Sequence, residues 1–412
     1  MNRRHVAAIA VCFPLAVGFV FLAWRIFTLG LADYWAIAVP ARALSWRSQH
    51  SDALNQAAEE QLAAKNYVPA QRLARSAIAA YPLDGTGYRV LAEIADRAGD
   101  RKRALQLLRI ASIRSPRDLT THGKLAEYAL KAGSVDEALH QFDLIMRLKP
   151  AIEHDLLPRI VKLAEFPEAD PALVRILAKR PPWRSQFLWT LAGHARDSAA
   201  VSRIFGALQD STSLSAEERQ YWIDRQINDH DWTSAYVDWV STLPVAERSA
   251  LGNLFDGHFK FPASGTGFGW RVSPVAGVDV RTVALSSENA LMVEFAGMRT
   301  PSAGIEQLIV LSPGHYVLRG RAQANGLDTE RGLQWILTCA EGQQIIMTSP
   351  LLVGSQPWRE FATPFEVPGD RCGGQWLRLQ VGAPYMIGGR AGYANLSVDR
   401  ETEAAGPSQD EF

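Results

Sequence analysis

The segments AQRLARSAIAAYP (residues 70–82), ALQLLRIASIRSP (residues 104–116) and ALHQFDLIMRLKP (residues 138–150) each open on alanine and close on proline, 34 residues apart. The same interval separates Ala58, Ala92 and Ala126, so three registers repeat together between Ser51 and Pro150. Self-similarity at this period marks a stacked helix–turn–helix array. Each unit reads as an apolar helix, a short turn, a second apolar helix and then the proline. The turns are Lys65-Asn66, Gly99-Asp100 and Gly133-Ser134, glycine or a polar residue where a helix must stop. Alanine recurs where two helices cross closely, because a larger side chain would push them apart. Glu59, Glu93 and Glu127 keep the same interval and would form a ladder along one face, with Asn55, Arg89, Asp96, Arg97 and Lys131 near the same side. That face reads as a groove for a basic or polar peptide segment. An ordinary solvated helix face is the competing reading.

The three matched registers resemble the tetratricopeptide repeat family over about a quarter of the chain. The resemblance implies an α-solenoid that recruits a protein partner and carries no chemistry of its own. From residue 151 to 251 the helical period continues but the proline register is lost. Helical patterns cover 155–165, 172–179, 189–208 and 216–227, and Asp231 to Pro244 looks like the worn second half of one more unit. Terminal units of an array are atypical because they cap its open end.

At 412 residues the chain exceeds the size at which one core keeps growing, so more than one domain is expected. Lys+Arg 43 against Asp+Glu 43 gives no basic excess, which argues against a general nucleic-acid surface. Val6 to Trp24 holds nineteen residues without a charge, after Arg3-Arg4 and before Arg25. That is about the ~20 residues a helix needs to cross a ~30 Å hydrocarbon core. We expect a membrane anchor over 1–30 and a juxtamembrane linker over 31–50. Ile26 to Ala43 would be an interfacial or packing segment, with Trp24, Tyr34 and Trp35 at headgroup level. A cleaved signal peptide is the alternative, with Ala41-Arg42-Ala43 as a late cleavage site. Cys12 has the wrong neighbours for a lipid-attachment cysteine. Arg3 and Arg4 argue for an internal N-terminus, whereas Arg25, Arg42 and Arg47 on the other side make the charge count equivocal.

Past Asn253 glycine and proline become frequent and apolar residues alternate. Leu291 to Phe295, 307–311, 316–323, 332–339, 345–348, 361–367, 375–381 and 393–398 read as short strands separated by turns, which indicates an antiparallel sandwich or jelly roll over 252–400. Cys339 and Cys372 lie in this region, and an even pair in one β-rich domain fits an internal disulfide and an oxidising compartment, against the alternative of two unpaired buried thiols. Residues 401–412 are polar, acidic and expected to be disordered.

The order Phe255-Asp256-Gly257, Phe268-Gly269-Trp270, Leu308 to Leu311 before Pro313-Gly314, a late Trp358 and a closing glycine-led strand from Gly392 resembles the jelly-roll carbohydrate-binding modules, over about 150 residues. The calcium-site acids of that family have no clear counterparts here. Strand alternation puts Leu333, Trp335, Leu337 and Cys339 on one face, and Leu377, Leu379 and Val381 inward. It leaves Trp376, Arg378 and Gln380 outward, as it does Arg319 and Arg321. If those two strands were neighbours, the five would form one arginine-rich face with a tryptophan beside it. Arginine forks suit carboxylates and an aromatic face suits a sugar ring, so an acidic polysaccharide is the expected ligand; a solvated sheet face is the competing reading. Trp270 and Trp358 read as core or sheet-edge residues.

No HExxH, P-loop, GxSxG or paired CxxC occurs, and the nine histidines show no metal spacing. Gly265 to Gly269 reads as a connecting loop. We therefore expect no catalytic residue, no metal and no cofactor. The expectation is a single-pass inner-membrane protein with its soluble part in the periplasm. Its array would hold a protein partner and its β-domain a glycan, as a scaffold in exopolysaccharide or other surface-polysaccharide assembly. A pure protein–protein scaffold and a glycan-processing enzyme with two acids in a cleft are the alternatives.

Overall fold

A computed structural model describes residues 3–382 and 386–401, with side chains from residue 17 onward. Arg3, Arg4, Cys12 and Pro14 therefore lie outside the residues whose side chains are described, and the tail beyond Glu401 lies outside altogether. The first half of the chain is helical and the second half forms a two-sheet sandwich. Two compact units divide between Phe187 and Leu188.

In the first unit α1 runs Arg3–Trp35 without a break. Its stretch Val17–Trp35 is long and apolar enough to cross a membrane, a property that anchors and signal sequences share. Of the segment Ile26 to Ala43, expected to be interfacial or packing, the part to Trp35 continues α1, and Ala36 and Ala43 pack beyond it. Aspartate at position 33 is tolerated near the helix end, where its carboxylate accepts from His50 Nε2 at 2.7 Å. His50 in turn caps α3 (Ser51–Ala63), its Nδ1 accepting the Ala53 amide. Between them α2 (Pro40–Trp46) packs Ala43 against Ala36 and Ala53.

The array follows as three helix pairs: α3 with α4 (Tyr67–Ala80), α5 (Thr86–Arg97) with α6 (Arg101–Arg114), and α7 (Leu119–Lys131) with α8 (Val135–Leu148). The connections are too short for anything but antiparallel hairpins. Each first helix ends on a residue in the left-handed region, Lys65 (φ 62°), Gly99 (φ 81°) and Gly133 (φ 72°), which turns the chain back. Asp100 and Asp118 cap the next helices by accepting the amides of Arg103 and Thr120. Ala58, Ala70, Ala92, Ala104, Ala126 and Ala138 are all buried, the small side chains that the close crossings demand. Gly87 shows how tight the approach is: a Cβ there would lie 2.8 Å from Ile78 Cγ1 and 3.0 Å from the Ala74 carbonyl oxygen.

Polar side chains tie successive pairs together at offsets near one repeat. Asn55 donates to Asp84 at 2.6 Å, Arg97 to the Tyr67 hydroxyl at 3.2 Å, and Tyr128 to Asp96. The centre of this network is Arg89, whose side chain is only 11% exposed. It bonds Glu59, reaches Asp118 at 2.9 Å and lies 3.6 Å from Glu93. Burial by itself would lower the Arg89 pKa, but Asp118, Glu59 and Glu93 outweigh it and hold it above the usual value. Its contribution is therefore constant through neutral pH and is lost only in strong alkali. Beyond the array, α9 (Glu153–Ala164) and α10 (Asp170–Ala178) continue the helical layer, and Trp183 donates its indole N–H to Asp143 at 2.9 Å.

Helix α11 (Arg184–His194) carries the chain across the division. The second unit has α12 (Ser198–Thr212), α13 (Ala216–Asn228) and α14 (Trp232–Thr242). The helical pattern read over 189–208 breaks into two helices: α11 ends at His194 and α12 starts after Asp197, whose carboxylate accepts the Ala199 amide. A full capping box, Ser215 with Glu218, starts α13.

Among the described residues ten strands complete the unit: β1 (Arg271–Val272), β2 (Val278–Ala284), β3 (Asn289–Arg299), β4 (Ser302–Ile309), β5 (Gly314–Thr329), β6 (Leu333–Cys339), β7 (Ile345–Thr348), β8 (Gly354–Val367), β9 (Gln375–Val381) and β10 (Met386–Arg400). They form two five-stranded antiparallel sheets, ordered β1-β4-β9-β6-β7 and β2-β3-β10-β5-β8. β1 and β2 are not among the strands read from the sequence: β1 has only two residues, and β2 is largely exposed, with Val278 and Val280 only partly buried against the core. Leu291, Val293, Phe295, Leu333, Trp335, Leu337, Leu377, Leu379 and Val381 meet in the core between the sheets. Cys339 and Cys372 are joined as a disulfide within that core.

Helices α13 and α14 belong to the same hydrophobic cluster as the outer side of the first sheet: Ile223, Trp232, Ala235 and Trp239 pack with Phe255, Phe268 and Leu308. Trp232 donates to Glu341 at 2.8 Å. The loop at Gly267 (φ 53°) passes so close that a Cβ there would sit 2.2 Å from Trp239 Cδ1, so glycine is required on both counts.

Two stability effects are expected. Breaking Cys339–Cys372 by Cys372→Ala should cost about 2–4 kcal/mol, read as a lower Tm that added reductant no longer changes. Arg89→Leu leaves three neighbouring carboxylates without their cation and should cost about 2 kcal/mol at pH 7. Chemical denaturation at pH 7 should show that deficit shrinking at high salt, which screens the repulsion among the carboxylates; a deficit that does not change with salt would contradict the electrostatic account.

Candidate functional site

The five sandwich residues expected to share one face do not. Trp376, Arg378 and Gln380 stand on β9 in the first sheet, whereas Arg319 and Arg321 stand on β5 in the second. Both groups point away from the core, so they emerge on opposite sides of the sandwich. Period-two alternation sorts residues within a strand but says nothing about which sheet the strand joins.

On the first sheet Trp376 is half-buried and packs against the cluster that holds α13 and α14. The Arg271 and Arg378 guanidinium groups lie 4.9 and 5.0 Å from its ring centroid. Arg378 also bonds Glu306 at 2.9 Å and the Thr338 hydroxyl at 3.3 Å. Gln380 sits in register between Ser302 and Gln334. The indole that looked like a stacking platform is thus enclosed by its own neighbours. Nearby, burial raises the Asp224 carboxyl pKa, against a hydrogen bond from Gln220 and the charge of Arg271.

The second sheet carries a different arrangement. Arg321 bonds Glu288 in the β2–β3 turn, and its guanidinium lies 5.5 Å from the Trp358 ring centroid on the edge strand β8. Glu288 also accepts from Asn395 Nδ2, while Asn395 Oδ1 accepts from His258 Nδ1 at 2.7 Å. Asn395 can turn its side chain there because it occupies the left-handed region (φ 53°), at an irregularity in the β10–β5 register. The chain of bonds from Arg321 through Glu288 and Asn395 to His258 borders a pocket of about 690 Å³. Lys260, Ser287 and Asn289 complete its polar lining. The segment that carries Lys260 is held by Asp256, whose carboxylate accepts the amides of Lys260 and Phe261, both at 2.9 Å. Burial raises the Asp256 pKa, with those two amides and the charges of His258 and Lys260 pulling the other way. Arg319 stands further along β5, exposed and 3.8 Å from Asp399.

Of the residues singled out in the sequence only Arg321 reaches this pocket's hydrogen-bond chain. Glu288, Asn395, His258 and Lys260 went unnoticed, because they come from three segments that only the sheet order brings together. The one local signal was the polar run Ser286 to Asn289 at the β2–β3 turn. No group of three or more His, Cys, Asp or Glu among the described residues could hold a metal.

In the array, most of the candidate groove residues serve the repeats themselves. Asn55, Glu59, Arg89, Glu93 and Asp96 are engaged in the inter-repeat network described above. Glu127 takes Lys131 at 2.7 Å and Lys124 at 3.4 Å, which holds its pKa below the usual value. Next to Glu127 the surface opens into an apolar pocket of about 510 Å³ between α7, α8 and α9.

No protein-family model matches the chain, and no curated protein matches it. Among solved structures, a CBM4 carbohydrate-binding module is similar over 36% of this chain and 99% of its own, at 14% identity and a TM-score of 0.29. PilF of Pseudomonas aeruginosa is similar over 46% of this chain and 89% of its own, at 14% identity and a TM-score of 0.26. The type IV pilus biogenesis factor PilW is similar over 46% of this chain and 91% of its own, at 18% identity and a TM-score of 0.26. The TPR domain of P58(IPK) and further carbohydrate-binding modules are also among the chain's structural neighbours.

Proposed function

We propose that this chain is a non-catalytic scaffold of a cell envelope: α1 anchors it in the inner membrane with the N-terminus inside, the array holds a protein partner, and the sandwich holds a glycan. Assembly of an exopolysaccharide or other surface polysaccharide is the setting that combines these parts. The observation that carries the glycan reading is the polar pocket on the second sheet. It offers hydrogen-bond donors and acceptors from His258, Asn395 and Glu288, aimed by one another, and from Asn289, held by the Phe259 carbonyl; Arg321 links Glu288 to the Trp358 ring. Sugars present the matching mixture of hydroxyls and apolar ring faces. Lys260 on the rim would meet a carboxylate, which favours an acidic polysaccharide.

The pairing of Cys339 with Cys372 supports an oxidising compartment for the sandwich. A second reading, a purely protein-binding scaffold, draws on the first sheet, whose outer side is occupied by α13 and α14 and not by a ligand groove.

The test is binding of the full chain in detergent to an array of neutral and acidic bacterial polysaccharides. We expect an acidic polysaccharide to bind, with affinity falling about tenfold or more in Glu288→Gln and in Arg321→Ala, as loss of a charged hydrogen bond implies. Trp376→Ala should lower the Tm and leave affinity unchanged. Absence of binding to any glycan, or loss of binding only in Trp376→Ala, would overturn this reading.

A further inference from the structure

The apolar pocket in the array arises from a break in the repeat register. Position 55 of the first unit is Asn55, its equivalent 34 residues on is Arg89, and the next equivalent is Gly123. The first two side chains fill their sites with inter-repeat hydrogen bonds. At Gly123 a Cβ would meet nothing within 4 Å, so the third unit leaves open the space that the others close. The walls of that space are Ala126 and Leu130 from α7, Phe142 from α8, and Leu156 and Leu163 from α9, with Phe166 at its mouth. Leu130 is 42% and Phe166 61% exposed, a high cost for apolar side chains unless something covers them.

The rim has a definite charge. Glu127 is matched by Lys124 and Lys131. Arg159 and Lys162 lie on the opposite wall, both exposed, and neither has an ion-pair partner among the described residues. An apolar slot beside two unpaired cations suits a large apolar side chain flanked by carboxylates. We propose that the third unit of the array is the docking site for an acidic segment of a partner protein, which inserts a phenylalanine or leucine between α7 and α9. This rests on the reading that the array binds a protein and names the chemistry of the segment bound. It differs from the basic or polar segment that the glutamate ladder suggests.

The probe is a set of fluorescein-labelled nonapeptides with a central Phe, Leu or Ala and flanks of Asp/Glu, Ser or Lys, titrated by anisotropy against the full chain in detergent. The acidic Phe and Leu peptides should bind, at least tenfold more tightly than the Ala-centred or lysine-flanked ones. Gly123→Phe fills the slot in open space, replaces a poor helix former, and should abolish binding with an unchanged circular-dichroism spectrum and Tm. The double variant Arg159→Glu/Lys162→Glu should exchange the preference toward lysine flanks. Binding that ignores the flanks, or that survives Gly123→Phe, or no binding by any peptide, would overturn the proposal.

A photo-crosslinking residue placed in cells at Phe166 and, separately, at Asp96 distinguishes this failure from failure of the array reading. Adducts at Asp96 that persist in Gly123→Phe, with no peptide binding, would leave the array reading standing and remove the pocket. No adduct at either position would remove both. Adducts at Phe166 whose crosslinked segment is basic would remove the proposed chemistry.

Discussion

Helices can approach to within a few ångströms of side-chain contact only where both surfaces are small, and this steric constraint organises the first unit. Alanines at a 34-residue interval and Gly87 between them set how closely each pair packs, and the buried apolar residues follow from that spacing. Once the pairs are so close, polar residues on their shared edge cannot remain solvated singly. They pair across repeats instead, and Arg89 satisfies three carboxylates because the geometry leaves it no other surroundings. The same rule explains the exception. Where the register supplies Gly123 in place of a polar side chain, nothing fills that site and a pocket remains.

The second unit meets a related requirement by other means. A sandwich buries one face of each sheet, and the remaining faces are free to be covered or used. The first sheet is covered: Leu308 and Trp376 face α13 and α14, with Trp232 and Trp239 seated against glycine-rich loops at Gly373, Gly374 and Gly267. The second sheet bears charged and polar groups outward, and its hairpin and edge strand build the only chain of hydrogen bonds that links Arg321 to a polar pocket among the described residues. Of the twelve tryptophans, Trp232, Trp239, Trp270 and Trp335 are buried in this packing.

Local periodicity made the repeat units, the turns at Lys65, Gly99 and Gly133, and the inward faces of β6 and β9 legible before any coordinates. Each of these depends on residues near one another in the chain. The grouping of Arg319 and Arg321 with Arg378 and Gln380 failed because it needed the strand order, which is decided by long-range pairing such as β5 with β10 and β8. The groove residues of the array were placed on the proper helices, yet Glu59, Glu93 and Arg89 prove to be partners of one another. Sequence spacing shows who shares a face, and only geometry shows whose charge is already spent. The pocket residues Glu288, Asn395 and His258 come together across more than a hundred positions, beyond the reach of any motif.

The account holds that glycan recognition belongs to the polar pocket of the second sheet and is separate from the repeat array. Hydrogen–deuterium exchange of the full chain, with and without an acidic surface polysaccharide that it binds, tests this directly. Protection confined to amides around 256–261, 285–290 and 393–397 is the predicted result. Protection over α7 and α9, or along the outer strands of the first sheet, would contradict it.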